Sequence, residues 1–137
     1  MTTVGESASD SIDRDLASLT ASAIDAQAER WPGLYDAFTI KQLERAVEDT
    51  RFHLQFLSAA LWSGEQVVMD DHYCWTRDLF ANIGLKQEWL DGALDDIRAV
   101  LVGALPTDEG REAARMIDHA MAGDHCSAVP ALSLIHI

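Results

Sequence analysis

Apolar residues recur along this chain at steps of three and four, and almost nowhere at steps of two. That is the spacing of amphipathic helices, whose buried face returns about every 3.6 residues. Ile12, Leu16, Leu19, Ala23 and Ala26 share one face and predict a first helix over residues 11–30. Trp31-Pro32-Gly33 stops it, because the residue before a proline avoids helical angles. A second helix is predicted from Thr39, which stands three residues before Gln42 in the spacing of a capping box. Its seam of Ile40, Leu43, Val47, Thr50, Leu54, Leu57 and Leu61 alternates steps of three and four, and Gly64 closes it. Phe52, Phe56 and Trp62 lie off that seam, so more than one face is expected to be covered.

The third helix, over residues 65–83, carries a main stripe of Val68, His72, Trp75, Leu79 and Ile83. Met69, Tyr73, Thr76 and Phe80 widen the stripe, which predicts the most buried helix of the set. A fourth, over 86–105, carries Leu90, Ala93, Leu94, Ile97, Val100, Leu101 and Ala104 and ends at Pro106. A fifth, over 107–122, uses Ala113, Ile117 and Met121 and stops at Gly123, with Asp108 and Glu109 suited to its N-terminal dipole. Period-two alternation and solenoid repeats are both missing. The predicted fold class is all-α: an antiparallel bundle of about five helices joined by short loops. Residues 1–10 are small and polar and read as a flexible N-terminus, 11–123 as the bundle domain, and 124–137 as a tail. Within that tail, residues 132–137 read Leu-Ser-Leu-Ile-His-Ile, the translation of a common transposon-based sequencing adapter. They are read as read-through, with the natural chain expected to continue past Ala131.

Composition narrows the class. The chain has 137 residues, 48% hydrophobic and 24% charged, which is enough apolar material for a core and argues against disorder. Acidic residues outnumber basic ones 23 to 10, a net charge of −13, which is the wrong sign for nucleic acid or an anionic membrane surface. No apolar run approaches the roughly 20 residues of a membrane span, and the N-terminus lacks the basic start and apolar core of a signal peptide. Cys74 and Cys126 make no disulfide framework, which points to a reducing cytoplasm.

Candidate chemistry is sparse. A di-iron carboxylate bundle needs Glu-x-x-His on two helices, and neither that motif nor His-Glu-x-x-His occurs. Asp49 and His53 are four apart and can share a face, but such a pair is more often a surface hydrogen bond than a metal site. His119, His125 and Cys126 lie close in sequence, but across Gly123 in a weak region, and are discounted. His72 falls inside an apolar stripe. It is expected to be a core histidine bonded to a backbone carbonyl or to an Asp of a neighbouring helix, against a ligand-facing alternative. Cys74 has Asp70, Asp71 and Asp78 nearby against Arg77, a poor setting for a reactive thiolate, so a buried structural cysteine is expected. Trp31, Trp62, Trp75 and Trp89 are assigned to packing or a partner interface before a ligand pocket. The glycine-rich phosphate motifs and the Gly-x-Ser-x-Gly elbow are absent. No catalytic, cofactor-binding or metal residue is assigned.

One resemblance adds to this. Glu44-Arg45-Ala46-Val47-Glu48-Asp49, then His53-Leu54-Gln55-Phe56-Leu57-Ser58-Ala59-Ala60-Leu61, precede Gly64 and an aromatic-rich helix with Met69, Asp71, Tyr73, Trp75, Leu79, Phe80 and Ala81. Gly84, Trp89, Leu90 and the run from Leu94 to Leu101 follow. This stretch, about half the chain, resembles the N-terminal helical domain of a group of bacterial cobalamin-binding-domain proteins. The resemblance implies a signalling or regulatory protein rather than an enzyme. In it a helical cap and a Rossmann-like cobalamin domain would follow, the latter with the histidine below the cobalt. The Asp-x-His-x-x-Gly motif of that domain has no counterpart here, so no binding residue carries over. Val67-Val68-Met69-Asp70-Asp71-His72 departs from the family's apolar entry to the third helix.

Two readings compete. The first is a non-catalytic sensory or interaction module of a cytoplasmic bacterial regulator, with a protein partner or self-association and no cofactor in this region. The second is a small-ligand or tetrapyrrole-binding helical domain that uses His53 or His72. A metal-carboxylate enzyme ranks third.

Overall fold

The helical periodicity is realised throughout: among the described residues there are six helices and no strand. The computed structural model describes residues 1–126, so residues 127–137, with the suspected read-through at 132–137, lie outside the described residues. The helices are α1 (Val4–Arg14), α2 (Leu16–Arg30), α3 (Ile40–Ser63), α4 (Gln66–Ile83), α5 (Gln87–Ala104) and α6 (Thr107–Ala122). They form a helical bundle, and none of them is long and apolar enough to cross a membrane.

The expected count of five becomes six because the first predicted helix is two. Asp15, at φ −109° and ψ 23°, leaves the helical region and separates α1 from α2. The helix also begins earlier than its apolar stripe suggested. Thr3 caps α1, its hydroxyl accepting from the Glu6 N–H at 3.0 Å. Residues 1–10 are therefore not a frayed end: Ala8 and Ser9 are buried, together with Ser11 and Ile12. Small side chains make this docking work. Gly5 brings its backbone against the carbonyl of Leu61 on α3, where a Cβ has no room. The Ser9 and Ser58 hydroxyls are 2.7 Å apart, and Ser58 donates to Asp13 at 2.7 Å. Since a carboxylate accepts, Ser58 spends its proton on Asp13, and Ser9 donates to Ser58. Ser11 donates to Glu109 of α6 at 2.6 Å.

Helix α3 starts as predicted. Both halves of the capping box form, with the Gln42 N–H on Thr39 at 3.1 Å and the Thr39 N–H on Gln42 at 2.9 Å. It ends at Gly64 in the left-handed region, φ 72°. The second half of its seam, Thr50, Leu54, Leu57 and Leu61, is buried. The first half is not: Ile40 is 81% and Leu43 39% exposed.

Helix α4 is turned relative to the prediction. Its buried residues are Met69, Asp70, His72, Tyr73 and Thr76, while Leu79 and Ile83 of the expected main stripe lie at the surface and Val68 and Trp75 are half-buried. It is not the most buried helix. Leu90, Ala93, Leu94, Ile97 and Leu101 of α5 face inward as predicted, as do Ala113 and Ile117 of α6. At the edge of the α2–α5 contact, exposed Arg30 at the end of α2 grips buried Asp96 of α5, its Nη2 2.9 Å from Oδ1 and its Nε 3.2 Å from both carboxylate oxygens. This hydrogen bond is the main reason the guanidinium is held above its ordinary pKa.

The close approach at Gly5 makes one prediction. Gly5→Val should lower stability by about 1–3 kcal/mol, the usual cost of overpacking. Denaturant midpoints of the two proteins measure it, and equal midpoints would return α1 to the status of a loose end.

Candidate functional site

α3 and α4 run side by side, and each brings a histidine to their contact. His53 and His72 are both buried, and Nδ1 of the first lies 2.8 Å from Nε2 of the second. A hydrogen bond between two neutral imidazoles needs one ring to donate and the other to accept. Burial pushes His53 down to about 4 and His72 down to about 3, and for His72 the neighbouring His53 adds to the effect. Both rings are thus neutral near pH 7. The outer face of His72 stacks on Phe56, with centroids 4.2 Å apart and planes 10° apart. Thr76 ties the same turn by donating to the His72 carbonyl at 2.8 Å.

In front of this pair lies a groove of about 450 Å³ lined by Phe52, Phe56, Val68, Asp71, His72 and Trp75. Its walls are aromatic and aliphatic, with one neutral imidazole and one carboxylate at the edge. Such a surface suits a flat apolar body or an apolar helix face. It holds no nucleophile and no carboxylate pair for acid–base work. Along α3 the groove continues into a second hollow of about 610 Å³, whose lining includes Ile40, Leu43, Val47 and Phe52. A cavity of about 720 Å³ lined by Asp13, Arg14, Asp25 and Arg51, among others, is charged and has no buried titratable group.

The other sequence candidates fall as follows. His53 takes His72 as its partner, and Asp49 stays at the exposed surface, so they make no metal pair. His72 is a core histidine, as expected, but its ring partner is another histidine and not a carbonyl or an Asp. Neither residue stood out as half of a pair, because nineteen positions separate them and only packing joins them. The four tryptophans do not share a pocket: Trp75 lines the groove, Trp62 is exposed, Trp89 lies under Lys86, and Trp31 packs near Gly92.

The cysteines require a correction. Cys74 and Cys126 are joined in a disulfide, with Cα atoms 5.4 Å apart, inside the ordinary range for such bonds. Cys74 is half-buried and bonded, not a buried free thiol. The bond spans a sequence separation of 52 and pins the start of the expected tail to α4. The cysteine count therefore gives no argument for a reducing compartment. His119 and His125, discounted with Cys126 in the sequence, come together with that disulfide and with Asp70.

No family model and no curated protein matches the chain.

The histidine pair sets a pH dependence. Folding lowers both pKa values below the unfolded 6.5, so below that value the unfolded chain binds protons that the folded chain refuses. Stability is expected to be complete above pH 6.5 and to fall as pH drops toward 4 and 3. Replacing both rings (His53→Phe with His72→Phe) should flatten that slope. Denaturant titrations at several pH values measure it, and an unchanged slope counts against the pair as its source.

Proposed function

We propose that the chain is a non-catalytic interaction module, an antiparallel bundle that works within a cytoplasmic bacterial regulatory protein and pairs with a second copy of itself through α3. One observation carries this reading. The α3 seam alternates steps of three and four, the pattern by which helices pack together, yet only its second half is covered by the bundle. Ile40 and Leu43 are left exposed, and Phe52 and Phe56, each 44% exposed, extend the apolar surface toward α4. A two-fold axis across this face would let each copy cover the other's seam. The resemblance noted above adds a cobalamin-binding domain in the longer protein, and no residue of this region is assigned to the corrin.

A second reading rests on His72. Its neutral ring forms part of the groove wall beside Phe56 and Trp75, a setting that suits a tetrapyrrole or a similar flat ligand. It expects a visible absorption band on reconstitution with haem or cobalamin, lost in His72→Ala or His53→Ala.

The first reading expects a dimer by sedimentation. Its affinity should rise with salt, because two chains each of net charge −13 repel each other less when screened. Leu43→Asp combined with Phe52→Asp should yield a monomer with unchanged helix content. A wild-type chain that stays monomeric at high concentration and high salt removes the proposal.

A further inference from the structure

Away from the groove, the end of α6 turns back over α4. Gly123, at φ 73°, ends the helix and places His125 and Cys126 beside Cys74. One ligand atom from each of these three residues lies within 4.8 Å of the others. His125 Nδ1 is 3.2 Å from the Cys74 sulfur and 3.8 Å from the Cys126 sulfur. His125 Nε2 is 3.0 Å from the carbonyl oxygen of Ala120. A carbonyl only accepts, so Nε2 carries a proton, and in the tautomer with Nδ1 unprotonated the Nδ1 lone pair faces the sulfurs. Sulfurs joined in a disulfide have no proton to offer that lone pair. An imidazole with its outer N–H tied to a carbonyl and its inner lone pair facing two sulfurs has the orientation of a metal-bound histidine.

The surroundings support the ring in that pose. Asp70 Oδ1 lies 3.6 Å behind Nε2, and this carboxylate is itself buried. It accepts from Gln66 Nε2 at 2.9 Å and lies 3.1 Å from His119 Nδ1. A carboxylate behind a ligating histidine strengthens its basicity. The spacing also fits. Around a tetrahedral zinc ion, a nitrogen and a sulfur ligand stand about 3.5 Å apart. The two observed nitrogen–sulfur distances bracket that value, and only the sulfur–sulfur separation has to open.

We infer that Cys74, Cys126 and His125 form a site for a thiophilic divalent cation of the zinc class, and that the disulfide is its closed, metal-free form. Opening it takes a dithiol reductant. The Cys74–Cys126 bond breaks, the two sulfurs take up two electrons and two protons, and the reductant leaves as its own disulfide. The cation then displaces both thiol protons to solvent and is held by two thiolates and the His125 Nδ1 lone pair. The fourth tetrahedral position is left to a water. In a reducing compartment this is the expected fate of two cysteines placed beside a histidine.

The test uses the whole chain, reduced with a dithiol and desalted without oxygen, then titrated with Co²⁺. Thiolate-to-cobalt absorption and tetrahedral visible bands are expected, saturating at one equivalent and abolished by Zn²⁺. The oxidised chain should show neither. His125→Ala and Cys126→Ser should weaken binding by more than about tenfold, and Asp70→Asn by about tenfold through the ring it supports. Circular dichroism follows the fold alongside. If the reduced chain loses helicity, Zn²⁺ is expected to restore it. A reduced, helical chain without cobalt bands overturns the site, as does binding unaltered in His125→Ala or a Zn²⁺ addition that restores nothing.

Discussion

Every other helix of the bundle packs against α3, and the fold depends on that one buried surface. Leu54, Leu57 and Leu61 are essentially removed from water there, together with Ile12, Met69, Leu94, Ile97 and Ile117 from the surrounding helices. A side chain of that size stabilises by about 1.5–3 kcal/mol when fully buried. Yet α3 is longer than the bundle that wraps it. Its first two turns extend past the cover, which leaves apolar positions of the seam in solvent. The same helix thus serves as core at one end and as surface at the other.

Several polar pairs join one helix of the bundle to another, beside hydrogen bonds made within a helix such as that of Thr76 to the His72 carbonyl. Ser9, Ser58 and Asp13 join α1 to α3, Arg30 and Asp96 join α2 to α5, and Tyr73 donates to Asp91 at 2.9 Å between α4 and α5. Burial and that hydrogen bond push the Tyr73 phenol up to about 12. Gln66 reaches both Asp70 and the Met116 carbonyl at 2.9 Å. An unpaired buried polar group costs about 1–3 kcal/mol, so each pair penalises any packing that separates its members. Hydrophobic burial holds the helices together, and these pairs select one arrangement of them.

Local signals were easy to read. Thr39 and Gln42 announced the start of α3, Gly64, Gly84 and Gly123 marked helix ends, and α5 showed its inner face directly. Each depends on residues within a few positions of one another. Three features were not readable. Residues 5–10 lack large apolar side chains, and their smallness serves close docking only once Leu61 is opposite Gly5. α4 carries apolar residues nearly all round, so its own periodicity does not say which side the neighbours will cover. The His53–His72 contact joins two helices whose relative rotation no local pattern encodes.

The order of residues alone thus settled that the chain is helical and roughly where α3 to α6 begin and end, though not the break at Asp15 or the early start of α1. These follow from short-range hydrogen bonding, capping and the period of apolar positions. Packing decided the rest: the turn of α4, the uncovered half of α3, the paired imidazoles, and the meeting of Cys74 with His125 and Cys126 across a sequence separation of 52. Those outcomes depend on which surfaces exclude water together. That is a property of the assembled bundle and not of any one segment.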